Sequence, residues 1–386
     1  MPYLDHAATT PLREEVLDAM LPWLREEHGN ASSLHGPGRR ARAAVDRARR
    51  DVADVLNCEP GEILFTSGGT EADNTALRGV LTGGVLRDTG RPGLVTSAAE
   101  HEAILRTAEG LREEGHPVTI VPPLASGAPD PDALAEATDE TTGLVSAMLV
   151  NNEVGAIADI ARIGEDAHER GALCHTDAVQ AAGLLPLNVD TLGVDLLSLS
   201  GHKVNGPKGI GALYVRSGTP FAPFVRGGAQ ERGRRGGTEN VAAIVGLAAA
   251  LGLAEAERET TVERLHRLRD RLVARLGETV GTLRVNTPED AAPHILNVSL
   301  PPSDRGPLDG EMLLLGLDVE GTHASAGSAC TSGALTPSHV LLAMGVPRQT
   351  AEATVRFSLG RSTTEADVDE AADAFARVVQ RVRAVA

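Results

Sequence analysis

Aromatic side chains are scarce in this sequence: Phe, Tyr and Trp together make up 2% of 386 residues. A core without them must be assembled from Ala, Val, Leu and Ile, and a hydrophobic fraction of 42% is enough to fill a large one. Cysteine is almost as rare. Cys58, Cys174 and Cys330 are odd in number and far apart, which excludes a disulfide framework and points to a reducing cytoplasm. No CxxC or HExxH spacing occurs, so no dedicated metal site is expected. Met1-Pro2-Tyr3-Leu4-Asp5 lacks the basic start and apolar run of a secretion signal, and no stretch of about 20 uncharged apolar residues offers a membrane span. The net charge of −17 disfavours non-specific contact with nucleic acid or an anionic membrane. The local exception is the run holding Arg226, Arg232, Arg234 and Arg235. The 42 Gly and 22 Pro form no low-complexity tract, and there is no internal repeat.

What is present is alternation. Short apolar runs alternate with longer helical patterns, the signature of an α/β protein with a mostly parallel sheet. Expected strands are 63–65, 94–96, 118–121, 144–149, 173–175, 196–199 and 212–215, with helices over 39–56 and 71–81. Thr10 and Pro11 suit the cap and first turn of an opening helix. The span 238–276 reads as helix with a bend at Gly252, leading to a second unit with a strand at 294–300 and a final amphipathic helix over 365–385.

Polar signals sit at the carboxyl ends of these strands, the edge where open α/β sheets bind ligands. Thr66-Ser67-Gly68-Gly69-Thr70-Glu71 is a strand-to-helix turn whose Gly69 and Thr70 amides suit a phosphate, or simply a Gly-rich turn capped by Thr70. Lys203 follows Ser200 and His202 just past a buried strand, where a lysine is suited to Schiff-base chemistry; an isolated lysine is otherwise a surface residue. Asp177 ends another strand and suits a protonated ring nitrogen, or caps the next helix. His101 suits ring stacking and proton transfer, and Asn152 suits a substrate carboxylate or ring oxygen, or only a turn. Two nucleotide signatures are missing: no Gly-Lys-Ser/Thr completes a P-loop near Lys203, and no GxGxxG follows the first strand.

In combination these segments resemble the NifS/IscS-like cysteine desulfurases, class V of the fold-type-I enzymes dependent on pyridoxal 5′-phosphate (PLP). The likeness runs from Tyr3-Leu-Asp-His-Ala-Ala-Thr-Thr-Pro11 through Gly29-Asn-Ala-Ser-Ser33, Phe65-Thr-Ser-Gly-Gly-Thr-Glu71, Ala99-Glu-His101, Val150-Asn-Asn-Glu153, Ser200-Gly-His-Lys203 and Gly237-Thr-Glu-Asn240 to Ser328-Ala-Cys-Thr-Ser-Gly333 and Arg356-Phe-Ser-Leu-Gly-Arg361. It implies a large domain, residues 16–258, around a mostly parallel seven-stranded sheet. A smaller α+β domain, 1–15 with 259–386, would carry the catalytic cysteine. It further implies that Lys203 holds the cofactor's aldehyde, His101 stacks on the ring and moves protons, and Asp177 pairs with the ring nitrogen. Gln180 and Asn152 would serve the ring hydroxyl or the substrate, and Gly69, Thr70, Ser200 and His202 the phosphate. Thr238 would reach the phosphate of the neighbouring subunit in a homodimer, and Arg356 would clamp the carboxylate of L-cysteine. Cys330 would take the sulfur as a persulfide and pass it to an acceptor protein for iron–sulfur cluster assembly or thiolation of tRNA, cofactors or DNA. It would hold an iron–sulfur cluster at most transiently. The same fold also carries aminotransferases and selenocysteine lyases, and an aminotransferase does not need Cys330; against a non-catalytic PLP-binding regulator stand the full catalytic set and the lack of a DNA-binding segment, and alanine release from L-cysteine would decide.

Overall fold

The computed structural model describes residues 1–83, 90–302, 306–327 and 336–385. Seven strands, β1 Ile63–Thr66, β2 Gly93–Ser97, β3 Val118–Val121, β4 Thr142–Ser146, β5 Leu173–Asp177, β6 Leu196–Ser200 and β7 Gly211–Val215, form one sheet in the order β1-β7-β6-β5-β4-β2-β3. Only β7 runs against its neighbours; the β2–β3, β2–β4, β4–β5 and β5–β6 pairs are parallel. Most of these strands are buried along their whole length, as sheets covered by helices on both faces must be. The expected strands are all present. The one over 144–149 leaves regular pairing after Ser146, yet Ala147 and Leu149 still donate to His175 and Asp177 carbonyls on β5.

A second sheet, β8 Arg284–Val285, β9 Ile295–Ser299 and β10 Thr354–Ser358, has the antiparallel order β10-β9-β8. A separate apolar core joins it to the helices Arg258–Val280, Gly310–Val319 and Glu365–Val385, with Leu4 buried among them. The few aromatics are placed where they count: Phe357 and Phe375 meet edge to face in that core, 5.6 Å between centroids. The N-terminal segment is tied to this unit by parallel bridges Tyr3–His323 and Asp5–Ser358.

Two local expectations fail. The first helix starts at Glu14, not after Thr10. Thr10 is instead committed to the Lys203 loop, donating from Oγ1 to the His202 carbonyl and accepting the Asn205 amide, both at 2.8 Å. The long helical span breaks at Glu257, not Gly252, dividing Val241–Ala256 from Arg258–Val280. The Glu257 carboxylate is held there by Arg13 at 2.7 Å and Arg361 at 3.3 Å. The arginine run is also spent internally: Arg235 pairs with Glu71 at 2.8 Å, and Arg232 and Arg234 donate to the Gly61 carbonyl. Among the described residues no helix is long and apolar enough to cross a membrane.

Candidate active site

The carboxyl ends of β1, β2, β4, β5 and β6 open into one cavity of about 480 Å3. Gly69, Thr70, His101, Asn152, Asp177, Gln180, Ser200, His202, Lys203 and Arg356 all line it. The phosphate turn is set by backbone. Gly68 sits at φ 154° and caps the helix Gly69–Leu81. A Cβ on Gly69 would stand 2.8 Å from Val179 Cγ2, so glycine is what lets the helix end reach the cavity. That end offers unpaired amides and a favourable dipole to an anion.

Lys203 lies one turn past β6. Its Nζ donates to the carbonyls of Ala7 and, at 2.9 Å, Ala8. Burial, with Arg356 adding repulsion, brings its ammonium down to about 8 from 10.5, although Asp177 and Asp5 pull the other way. On β5, burial pushes the Asp177 carboxyl up, against His101, the Val179 amide at 2.9 Å and Lys203. A protonated ring nitrogen is the kind of cation such a group lacks. His101 caps the helix Glu102–Glu113: its Nδ1 accepts the Ala103 amide at 3.0 Å. Nδ1 therefore carries the lone pair, and in the neutral ring the proton sits on Nε2. Burial holds His101 below its ordinary value.

Arg356 on β10 is buried and fixed from three sides. It donates to the Asn152 carbonyl at 2.7 Å, Asp5 Oδ1 at 3.0 Å and Ser325 Oγ at 2.9 Å. Its Nε and the Asn152 Oδ1 are buried without a partner among the described residues, polar atoms left for a ligand. The Gln180 amide bridges the Ala7 carbonyl at 2.9 Å and His294 Nε2 at 3.2 Å. Thr238 is exposed and outside the cavity of its own chain. Cys330 lies outside the described residues. Cys58 and Cys174 are poor nucleophiles: burial, helped by neighbouring carboxylates, pushes the first to about 12 and the second higher still.

Several cavity residues escaped the sequence reading. Asp73, Glu102, Glu153 and His339 line the same space. Burial pushes the Asp73 and Glu100 carboxyls well above the ordinary carboxylate range, and Asp177 adds to the shift in each. The available signal for Asp73 was a carboxylate at the fifth position of the helix Gly69–Leu81, one turn before the apolar Ala76 and Leu77, which also reads as an ordinary acid near a helix start.

Residues 2–371 match the family model described as Aminotransferase class-V. Over 384 residues the chain is 44% identical to the cysteine desulfurase IscS of Dictyoglomus turgidum, covering 99% of this chain and 95% of that one. Over 381 residues it is 46% identical to the cysteine desulfurase IscS of Methanosarcina thermophila, covering 99% and 92%. Among solved structures, a NifS-like protein superposes with a TM-score of 0.90 at 36% identity, covering 99% of this chain and 100% of that one. The chain belongs to the class-V aminotransferase family of PLP-dependent enzymes, and within it to the NifS- and IscS-like cysteine desulfurases. The site fits that cofactor: a glycine-permitted helix end, a half-buried lysine drawn towards neutrality, a buried carboxyl short of a cation and an amide oxygen without a partner among the described residues border one cavity.

Proposed function

We propose that the protein is a PLP-dependent cysteine desulfurase. It converts L-cysteine to L-alanine and collects the sulfur as a persulfide on Cys330. An acceptor protein then draws on it for iron–sulfur cluster assembly or for thiolation of tRNA, cofactors or DNA. The observation that carries the reading is the convergence of Lys203, Asp177, His101 and Arg356 on one cavity.

When bound, the cofactor supplies an electron sink for charge developing at the substrate α-carbon. Lys203 holds its aldehyde, Asp177 its ring nitrogen, and Gly69, Thr70, Ser200 and His202 its phosphate. Arg356 binds the substrate carboxylate with its planar fork, which lysine cannot imitate. Lys203, at about 8, takes and gives protons near neutral pH and serves as the base at the α-carbon. His101 serves as a hydrogen-bond donor through Nε2, because protonation at Nδ1 costs its bond to the Ala103 amide. The Cys330 thiolate attacks the substrate sulfur; the carbon–sulfur bond breaks, its electron pair stays with carbon, and a proton there completes alanine.

Thr238 serves the neighbouring subunit's phosphate in a homodimer. The buried Arg49–Glu231 pair at 2.7 Å, with Glu231 also accepting the Phe65 amide, anchors the segment that carries it. A thiol-based sulfur carrier of this kind works in a reducing compartment, the cytoplasm. The test is incubation of the PLP-loaded protein with L-cysteine and a reducing thiol, with alanine and sulfide measured. Both should form in equal amounts, and Cys330→Ala should abolish them while keeping the cofactor's visible absorbance. Undiminished alanine release by Cys330→Ala would instead indicate a lyase that does not use the thiol.

A further inference from the structure

Glu153 is 1% exposed, lines the active-site cavity and has no part in the chemistry above. Its backbone is fixed on both sides. The Asn151 side chain accepts the Glu153 and Val154 amides at 2.9 Å each and donates to the Ala99 carbonyl at 2.9 Å. The Glu153 carbonyl accepts Asn297 Nδ2 at 3.1 Å, from β9 of the other core, and Asn297 Oδ1 in turn takes Asn286 Nδ2 at 2.7 Å. A carboxyl held this firmly is a fixed point shared by the two sheets.

Both ends of the segment that contains Cys330 rest on that carboxyl. Ser338 donates from Oγ to Glu153 Oε2, while the same Oγ accepts the Leu341 amide at 3.1 Å and so caps the helix His339–Ala343. Gly327 lies close against the same carboxyl. A Cβ added there would stand 3.1, 3.3 and 3.4 Å from Glu153 Oε2, Cγ and Cδ, and the residue sits at φ +94°. Just before it, Ser325 is bridged to Arg356. Burial raises the Glu153 carboxyl, against the opposing pull of the Ser338 hydroxyl, His339 and Arg356.

Gly327 stands three residues before Cys330 in the sequence and Ser338 eight residues after it.

We propose that Glu153 is a positioning residue for the sulfur-transfer step, holding Gly327 by close packing and Ser338 by a hydrogen bond, the two on either side of Cys330 in the sequence. The proposal rests on the desulfurase reading and is tested by separating two events in a single turnover. One is the change in cofactor absorbance when L-cysteine binds; the other is persulfide on Cys330, read by mass spectrometry. In Glu153→Ala the first should stay within about twofold of the parent and the second fall about tenfold to a hundredfold, the scale of small misplacements near reacting atoms. Glu153→Gln, which still accepts the Ser338 hydroxyl, should recover most of the rate. Ser338→Ala should slow the same event, and the double variant should be no slower than its slower parent. Equal slowing of both events, no slowing of either, or multiplicative effects in the double variant would overturn the assignment. A parent protein that forms no persulfide would instead remove the desulfurase reading on which it stands.

Discussion

A Schiff base forms only from a neutral amine, so the state of Lys203 sets how fast the protein captures its cofactor. Burial and the Arg356 guanidinium bring that ammonium down to about 8. At that value roughly a tenth of Lys203 is neutral at pH 7, against about one in three thousand for an ordinary lysine, so capture gains on the order of 300-fold. The assay is direct: cofactor-free protein is mixed with PLP by stopped flow across the range from about pH 6 to 10, and the visible absorbance is followed. The rate should climb with pH, pass its midpoint near 8 and flatten above about 9. The loss on acidification is the sign expected for an amine that reacts only when deprotonated. Arg356→Gln removes one of the two causes of the depression, so its midpoint should move upward. The variant should be slow at neutral pH and approach the parent at the alkaline end. A parent midpoint above about 10, or an Arg356→Gln midpoint that stays put or falls, would mean that the Lys203 ammonium is not depressed by burial and Arg356.

Lys203 and Lys208 are the only lysines in the sequence, and Lys208 is exposed. Borohydride reduction of the PLP-loaded protein should therefore fix the cofactor on the Lys203 peptide alone; label on Lys208 would speak against the buried amine. Arg356→Lys keeps the charge but loses the planar fork, and steady-state kinetics should show KM for L-cysteine rising about tenfold or more with a smaller change in kcat. Glu231→Ala leaves the Arg49 cation buried and unpaired, which should cost about 3–5 kcal/mol in urea unfolding. Phe375→Ala empties part of the second core and should cost about 3–5 kcal/mol in the same assay.

The strands could be read because each is a short apolar run closed by turn residues, and the sheet's direction followed from the helices between them. The cavity could be read because Gly69, His101, Asn152, Asp177 and Lys203 all follow strands, and such positions converge in an open sheet. What stayed hidden depends on contacts remote in sequence. Thr10 has the look of a cap, but its hydroxyl is taken by the loop of Lys203, more than 190 residues away. Gly252, with Gly246, is the weakest helix former in its span, yet the break falls at Glu257, where Arg13 and Arg361 converge on one carboxylate. Glu153 sits in an Asn-Asn-Glu turn and reads locally as a solvated acid. Only the meeting of Asn297, Gly327 and Ser338 around it shows otherwise.

In the proposed reaction an amine at position 203 and a thiol at position 330 act on one substrate. Peptide mass spectrometry of PLP-loaded protein after one equivalent of L-cysteine, with free thiols and persulfides trapped by alkylation, reads both at once. One added sulfur atom should be found on Cys330, none on Cys58 or Cys174, and one alanine should be released for each sulfur held. Added sulfur on Cys58 or Cys174 instead, or alanine released with no sulfur on the protein, would contradict it.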